Sequence, residues 1–199
     1  MIPHSGVVVV PTLQPLEAAV ASKRRSRPRL ILGLPILALV IALVGIYAKN
    51  YVSLQTPMNE VLSADSRNEG IAVRAHYRRY VQPSTLVIDL REVSGPKSRV
   101  DVFRVLLQFA DKMKSKSFDK VFLASSGTDR FILDGSYFKL LGMEYPEQNP
   151  IYTMRTFPSH LMKLDGTAAY GQWEGGLFAV VEKELTDFGD FVDGWVAVE

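Results

Sequence analysis

From Leu30 to Ala48 the chain runs for 19 residues without a charge. At about 1.5 Å per residue a helix of that length spans roughly 28 Å, close to one bilayer hydrocarbon core. Pro35 falls in its first turns, where a missing N–H matters least, and Tyr47 near the far end suits a membrane–water boundary. The pattern predicts a transmembrane helix over 30–48. A basic tail over 1–29 precedes it, a tether over 49–57 follows, and 58–199 is the segment long enough to fold around a core.

Periodicity divides that last segment. Met58 to Ser63 suits a short helix and Asn68-Glu69-Gly70 a turn. Ile71, Val73 and Ala75 alternate with Ala72, Arg74 and His76, an extended strand that continues to Val81 and turns back at Gln82-Pro83-Ser84. Leu86-Val87-Ile88-Asp89-Leu90 is nearly continuous in apolar residues, as a strand buried on both faces would be. Ser98 followed by Asp101 suits a capping box opening a helix over 99–115, in which Val102, Leu106, Phe109 and Met113 share one face. Val121 to Ala124 is a second buried strand. Strand, helix, strand within this span is a βαβ unit with parallel pairing.

Downstream, Arg130 to Leu133 suits a strand, Gly135 to Leu141 a short helix stopping at Gly142, and Ile151 to Phe157 an extended run opened by Asn149-Pro150. Asp165-Gly166 is a turn. Phe178, Val181, Leu185, Phe188, Val192 and Trp195 step by three and four, the apolar face of a packed C-terminal helix. The expected fold is a single transmembrane helix plus a soluble α/β domain, whose mixed sheet contains the βαβ unit.

Charge orients the anchor. Lys23, Arg24, Arg25, Arg27 and Arg29 precede the apolar run, whereas the 20 residues after it hold only Lys49 and Arg67. The positive flank predicts a cytoplasmic N-terminus, an extracytoplasmic domain and a cell (inner) membrane location. A cleaved signal peptide or an Arg-rich transit peptide competes with this reading, but the leader is long and no clear A-x-A site directly precedes Lys49 at the end of the apolar run. Residues 1–48 hold five bases and one acid, net +4, leaving 18 bases against 20 acids and net −2 in 49–199. A mildly acidic domain lacks the basic face that phosphate neutralisation needs, so no nucleic-acid partner is expected.

The chain has no cysteine, which removes disulfides, thiolate metal sites and cysteine nucleophiles. No phosphate-binding, nucleophile-elbow or H-E-x-x-H motif occurs, and neither metal nor cofactor is expected. The densest chemistry is Ser125-Ser126-Gly127-Thr128-Asp129-Arg130, just past the second parallel strand, where the neighbouring strand ends in Asp89, Arg91 and Glu92. Ligands of open α/β sheets bind beyond the carboxyl ends of the strands. Asp89, Arg91, Ser126, Gly127, Thr128 and Arg130 are therefore the candidate anion-binding set, although tight turns use the same residues. A serine hydrolase would need Ser125 or Ser126 with His160 as base and Asp134 or Asp165 orienting it. Tyr77-Arg78-Arg79-Tyr80 interleaves bases with aromatics, as a membrane or nucleic-acid surface would, but strand alternation places one of its faces in solvent.

The expected function is a membrane-anchored, non-enzymatic module that recruits or scaffolds a partner, another membrane or envelope protein, beside the lipid bilayer. An anion or small-ligand sensor using 89–92 and 125–130 is the alternative, and the serine hydrolase a third. Ala38, Ala42 and Gly45 form a small-residue stripe that points to a homodimer through the membrane helix.

Overall fold

The apolar run becomes a helix that does not stop where the apolar residues do. The computed structural model describes residues 28–196, with side chains from 34 onward apart from Leu177. In it, α1 spans Pro28–Asn50, a π-helical turn Tyr51–Gln55 follows, and α2 runs Thr56–Ala64 without a break. The basic residues before Pro28 lie outside the described residues. Two compact units divide the chain, 1–38 and 39–199. The described part of the first is the opening of α1.

Leu39, Val40, Ile41, Leu43 and Val44 spread over about 200° of the circumference of α1, at about 100° per residue. All are exposed, Ile41 by 63% and Val44 by 62%. The helix is long and apolar enough to cross a membrane. Residues 49–57, expected as a plain tether, are helical instead, and the cause is local packing: Leu54 and Asn50 are buried against the domain.

Five strands form one mixed sheet in the order β1-β2-β3-β4-β5: Ile71–Arg78, Gln82–Val93, Lys120–Ser125, Thr128–Asp134 and Leu161–Met162. β2 and β3 are parallel, with Leu86 opposite Val121 and Leu90 opposite Ser125; the other pairs are antiparallel. The connecting helix α3, Arg99–Met113, opens on the expected capping box, in which Ser98 and Asp101 satisfy each other's backbone N–H groups. Val73, Ala75, Tyr77, Leu86, Ile88, Leu90, Val121 and Leu123 face the helices and join α3 and the helices over 135–144 and 177–196 in one apolar core. No helix of that core lies on the other face of the sheet.

Three expectations need correction. Ile151 to Phe157 is not extended: α5 spans Pro150–Thr156, because Asn149 caps the amide of Ile151 and Pro150 occupies the first turn. Gly142 does not end a helix but lies inside α4, Gly135–Glu144, where a Cβ would collide with the Ala110 carbonyl of α3. The C-terminal helix α6, Leu177–Val196, fully buries its apolar stripe only over its second half. Phe188, Phe191, Val192 and Trp195 are buried, whereas Phe178 is 90% exposed.

Candidate functional site

The face of the sheet without helices is roofed by its own charged side chains. Alternation turns Arg74, His76 and Arg78 of β1, Val87 and Asp89 of β2, and Phe122 and Ala124 of β3 to this side. Val87, Asp89 and Ala124 are nonetheless buried, Asp89 to 2% exposure. Arg78 lays its guanidinium 3.9 Å above the Phe122 ring and pairs with Asp129 at 2.6 Å. Arg91 lies at an irregularity in the β1–β2 register and closes on Asp89 at 2.8 Å. The remaining Asp89 oxygen accepts the Gly127 N–H at 3.0 Å. A cleft of about 280 Å³ opens there, lined by His76, Arg78, Arg79, Asp89, Arg91 and Asp129 among others.

This geometry sorts the candidate residues. Asp89, Arg91 and Gly127 line the cleft. Ser126 and Gly127 are the two central residues of the β3–β4 hairpin, with φ of 49° and 85°. That is the conformation a two-residue turn demands, and it fully accounts for a small residue and a glycine at these positions. Ser126 and Thr128 stand exposed at this turn, and Arg130 falls at the irregularity of β4, outside the cleft lining. Arg78, Arg79 and Asp129 replace them. Their signal in the sequence was the alternation of Arg74, His76 and Arg78, which marks one strand face as basic.

The serine-hydrolase set does not converge. Ser125 is 1% exposed with no hydrogen-bond partner for its hydroxyl, enclosed rather than presented. His160 stacks on Tyr137 with centroids 3.7 Å apart, and partial desolvation holds its imidazole below the usual pKa. It precedes Leu161, which pairs with Leu133 opposite Val121, four residues along β3 from Ser125. At about 3.3 Å per residue that is roughly 13 Å of strand. Asp134 caps Ser136 and Asp165 caps Thr167, so both carboxylates serve turns.

A second surface lies on α5 and the first half of α6, which run side by side through an Arg155–Glu184 pair at 2.7 Å. Phe178, Leu185, Ile151 and Tyr152 are exposed there. Trp173 is half-exposed, donating its indole N–H to Asp187 at 2.7 Å beneath the Lys183 ammonium. Between Gly171 and Val196 six carboxylates face one base, Lys183. Comparison of the chain with known protein families, with curated proteins and with solved structures finds no match.

Proposed function

We propose that this protein is a single-pass membrane-anchored α/β module that recruits a partner beside the bilayer and is not an enzyme. The N-terminus lies in the cytoplasm and the domain outside it. The observation that carries the recruiting role is the exposed apolar side chains on the first half of α6. Phe178 and Leu185 continue the stripe that Phe188 and Val192 bury, yet they stand in water, as do Ile151 and Tyr152 of α5. Apolar side chains on adjacent helices with acidic flanks fit an apolar segment of another membrane or envelope protein carrying basic residues. Lipid around α1 supplies the environment that its exposed circumference needs.

A photo-crosslinking residue in place of Phe178, in intact membranes, yields one discrete adduct. Leu185→Ser and Glu182→Lys diminish that adduct without changing the circular dichroism of the domain. A smear of adducts, or none, sinks the reading. Topology is tested separately with Ser5→Cys and with a cysteine after Glu199, because the native chain contains no other thiol. In intact cells a membrane-impermeant maleimide labels only the second.

The cleft favours a second reading, an anion or small-ligand sensor, through one observation: three guanidinium groups face two carboxylates within it. Under that reading inorganic phosphate raises the Tm of the wild type and not of Arg91→Ala.

A further inference from the structure

The β1–β2 hairpin is tied directly to the end of the apolar helix. Asn50, 3% exposed, accepts the Tyr77 N–H at 2.8 Å and donates to the Tyr80 carbonyl at 2.8 Å. Gln55 continues the clamp, accepting the Ala75 N–H at 2.9 Å and donating to the Val73 carbonyl at 3.1 Å. Two residues five apart would stand about 140° from each other on an α-helix; the intervening π-helical turn brings both to the free edge of β1. Side chains thus satisfy an edge strand that would otherwise offer unpaired groups.

We propose that the tip of this hairpin, Arg79-Tyr80-Val81, is a second membrane contact that reads anionic lipid headgroups. The proposal rests on the single-pass reading of α1. Asn50 lies two residues beyond Ala48, the last of the apolar run, a rise of about 3 Å. The headgroup layer is roughly 5–7 Å deep on each side of the hydrocarbon core. A loop hydrogen-bonded to Asn50 therefore lies within that layer.

Its chemistry suits the place. Tyr80 and Val81 are exposed, as are Tyr47 and Tyr51, giving aromatic and apolar groups at the depth where interfacial belts form. Arg78 is committed to Asp129, whereas Arg79 and Lys49 are exposed with no carboxylate partner among the described residues. The backbone points the same way. Arg79 and Tyr80 have φ of 50° and 64°, a region that turns fill with Asn or Gly, and Tyr80 is held there by stacking on His76 at 4.6 Å. Bulky side chains kept in a strained turn call for a contact that uses them.

The full chain is reconstituted in nanodiscs of phosphatidylcholine alone or enriched in phosphatidylglycerol, with a nitroxide on the headgroup or in the acyl chain. Environment-sensitive fluorophores are attached singly at Val81→Cys, Val44→Cys and Glu69→Cys. Glu69 is an exposed residue just before β1, whose 8 residues separate it from the tip by roughly 26 Å. Residue 44 is quenched from the acyl chain. Residue 81 is quenched from the headgroup, more strongly in anionic discs, and residue 69 from neither. Arg79→Gln lowers the anionic quenching at residue 81 by roughly half or more. Quenching at 44 with 81 no brighter or dimmer than 69 overturns the hairpin contact alone. Equal quenching of residue 81 in both disc types overturns its charge recognition, and absence of quenching at 44 overturns the membrane reading with it.

Discussion

The two faces of the sheet bury comparable strands with different roofs. On one, Leu86, Ile88, Leu90, Val121 and Leu123 lie beneath α3 and α6, closed by Phe103, Phe191 and Trp195. On the other, Val87, Asp89 and Ala124 are as well buried, yet their cover is guanidinium groups held by Asp89 and Asp129. An aliphatic roof acts through area and has no preferred partner. A guanidinium roof is directional: each arginine has five N–H donors, and one carboxylate engages at most two or so at once. The first face holds the fold together, and the second leaves guanidinium donors beyond those that its carboxylates engage.

The largest effect that would sharpen this contrast comes from the covered side. Phe103 packs edge-on against Phe157 and Phe188 at 4.9 and 5.0 Å. Phe103→Ala should cost about 3–5 kcal/mol in urea unfolding of the detergent-solubilised chain. Phe122→Ala on the other face should cost no more than about 1–2 kcal/mol, its loss being one half-exposed ring and a cation–π contact. Equal losses would erase the distinction between the faces.

Next in size is Asp89→Ala, which strips Arg91 of its partner and leaves the Gly127 N–H without an acceptor. A loss of about 1.5–3 kcal/mol is expected, with Asp89→Asn losing less because its amide oxygen still accepts. A neutral Asp89→Ala would mean that the arginine roof does not depend on this pairing.

What the sequence made legible follows from how far each signal reaches. The βαβ unit was readable because the Leu86–Leu90 and Val121–Ala124 runs flank an amphipathic helix with its own cap, and all three signals are local. The helix α5 was not, since an apolar run of seven residues fits either period and the deciding Asn149 cap is a single side chain. Gly142 read as a stop because sequence shows a glycine's freedom and not the Ala110 carbonyl across from it. Periodicity drew one stripe from Phe178 to Trp195 and had no means to show that neighbours end near Phe188. Strand ends alone are enough to place Asp89, Arg91 and Gly127 near one another, and these three line the cleft. Arg78 and Arg79 read from alternation as one solvated strand face, because the reach of Arg78 across to Phe122 and Asp129 is a tertiary fact.

A smaller effect comes from acid. Asp101 accepts from the amide and hydroxyl of Ser98 and from Arg104, which together hold its carboxyl at about 2. Its folded pKa lies below the ordinary carboxylate value of roughly 4, so the stability it adds is complete above about pH 4 and is lost as pH falls toward 2. Asp101→Asn should flatten that limb of the Tm-against-pH curve, and Ser98→Ala should cost about 1 kcal/mol at neutral pH.

The smallest change tests why the open face ends in a strained turn. A left-handed backbone costs a non-glycine residue about 1–2 kcal/mol, and glycine gives back roughly 0.5–1 kcal/mol through its freer unfolded chain. Arg79→Gly should therefore raise stability by about 0.5–1 kcal/mol, since Arg79 makes no ion pair among the described residues and its φ is 50°. If Arg79 is there for the fold, the variant is destabilised and the headgroup contact survives. If it is there for the lipid, the variant melts higher while the fluorophore at residue 81 loses its preference for anionic discs. The two quantities move in opposite directions only when the strain is maintained for a partner outside the fold.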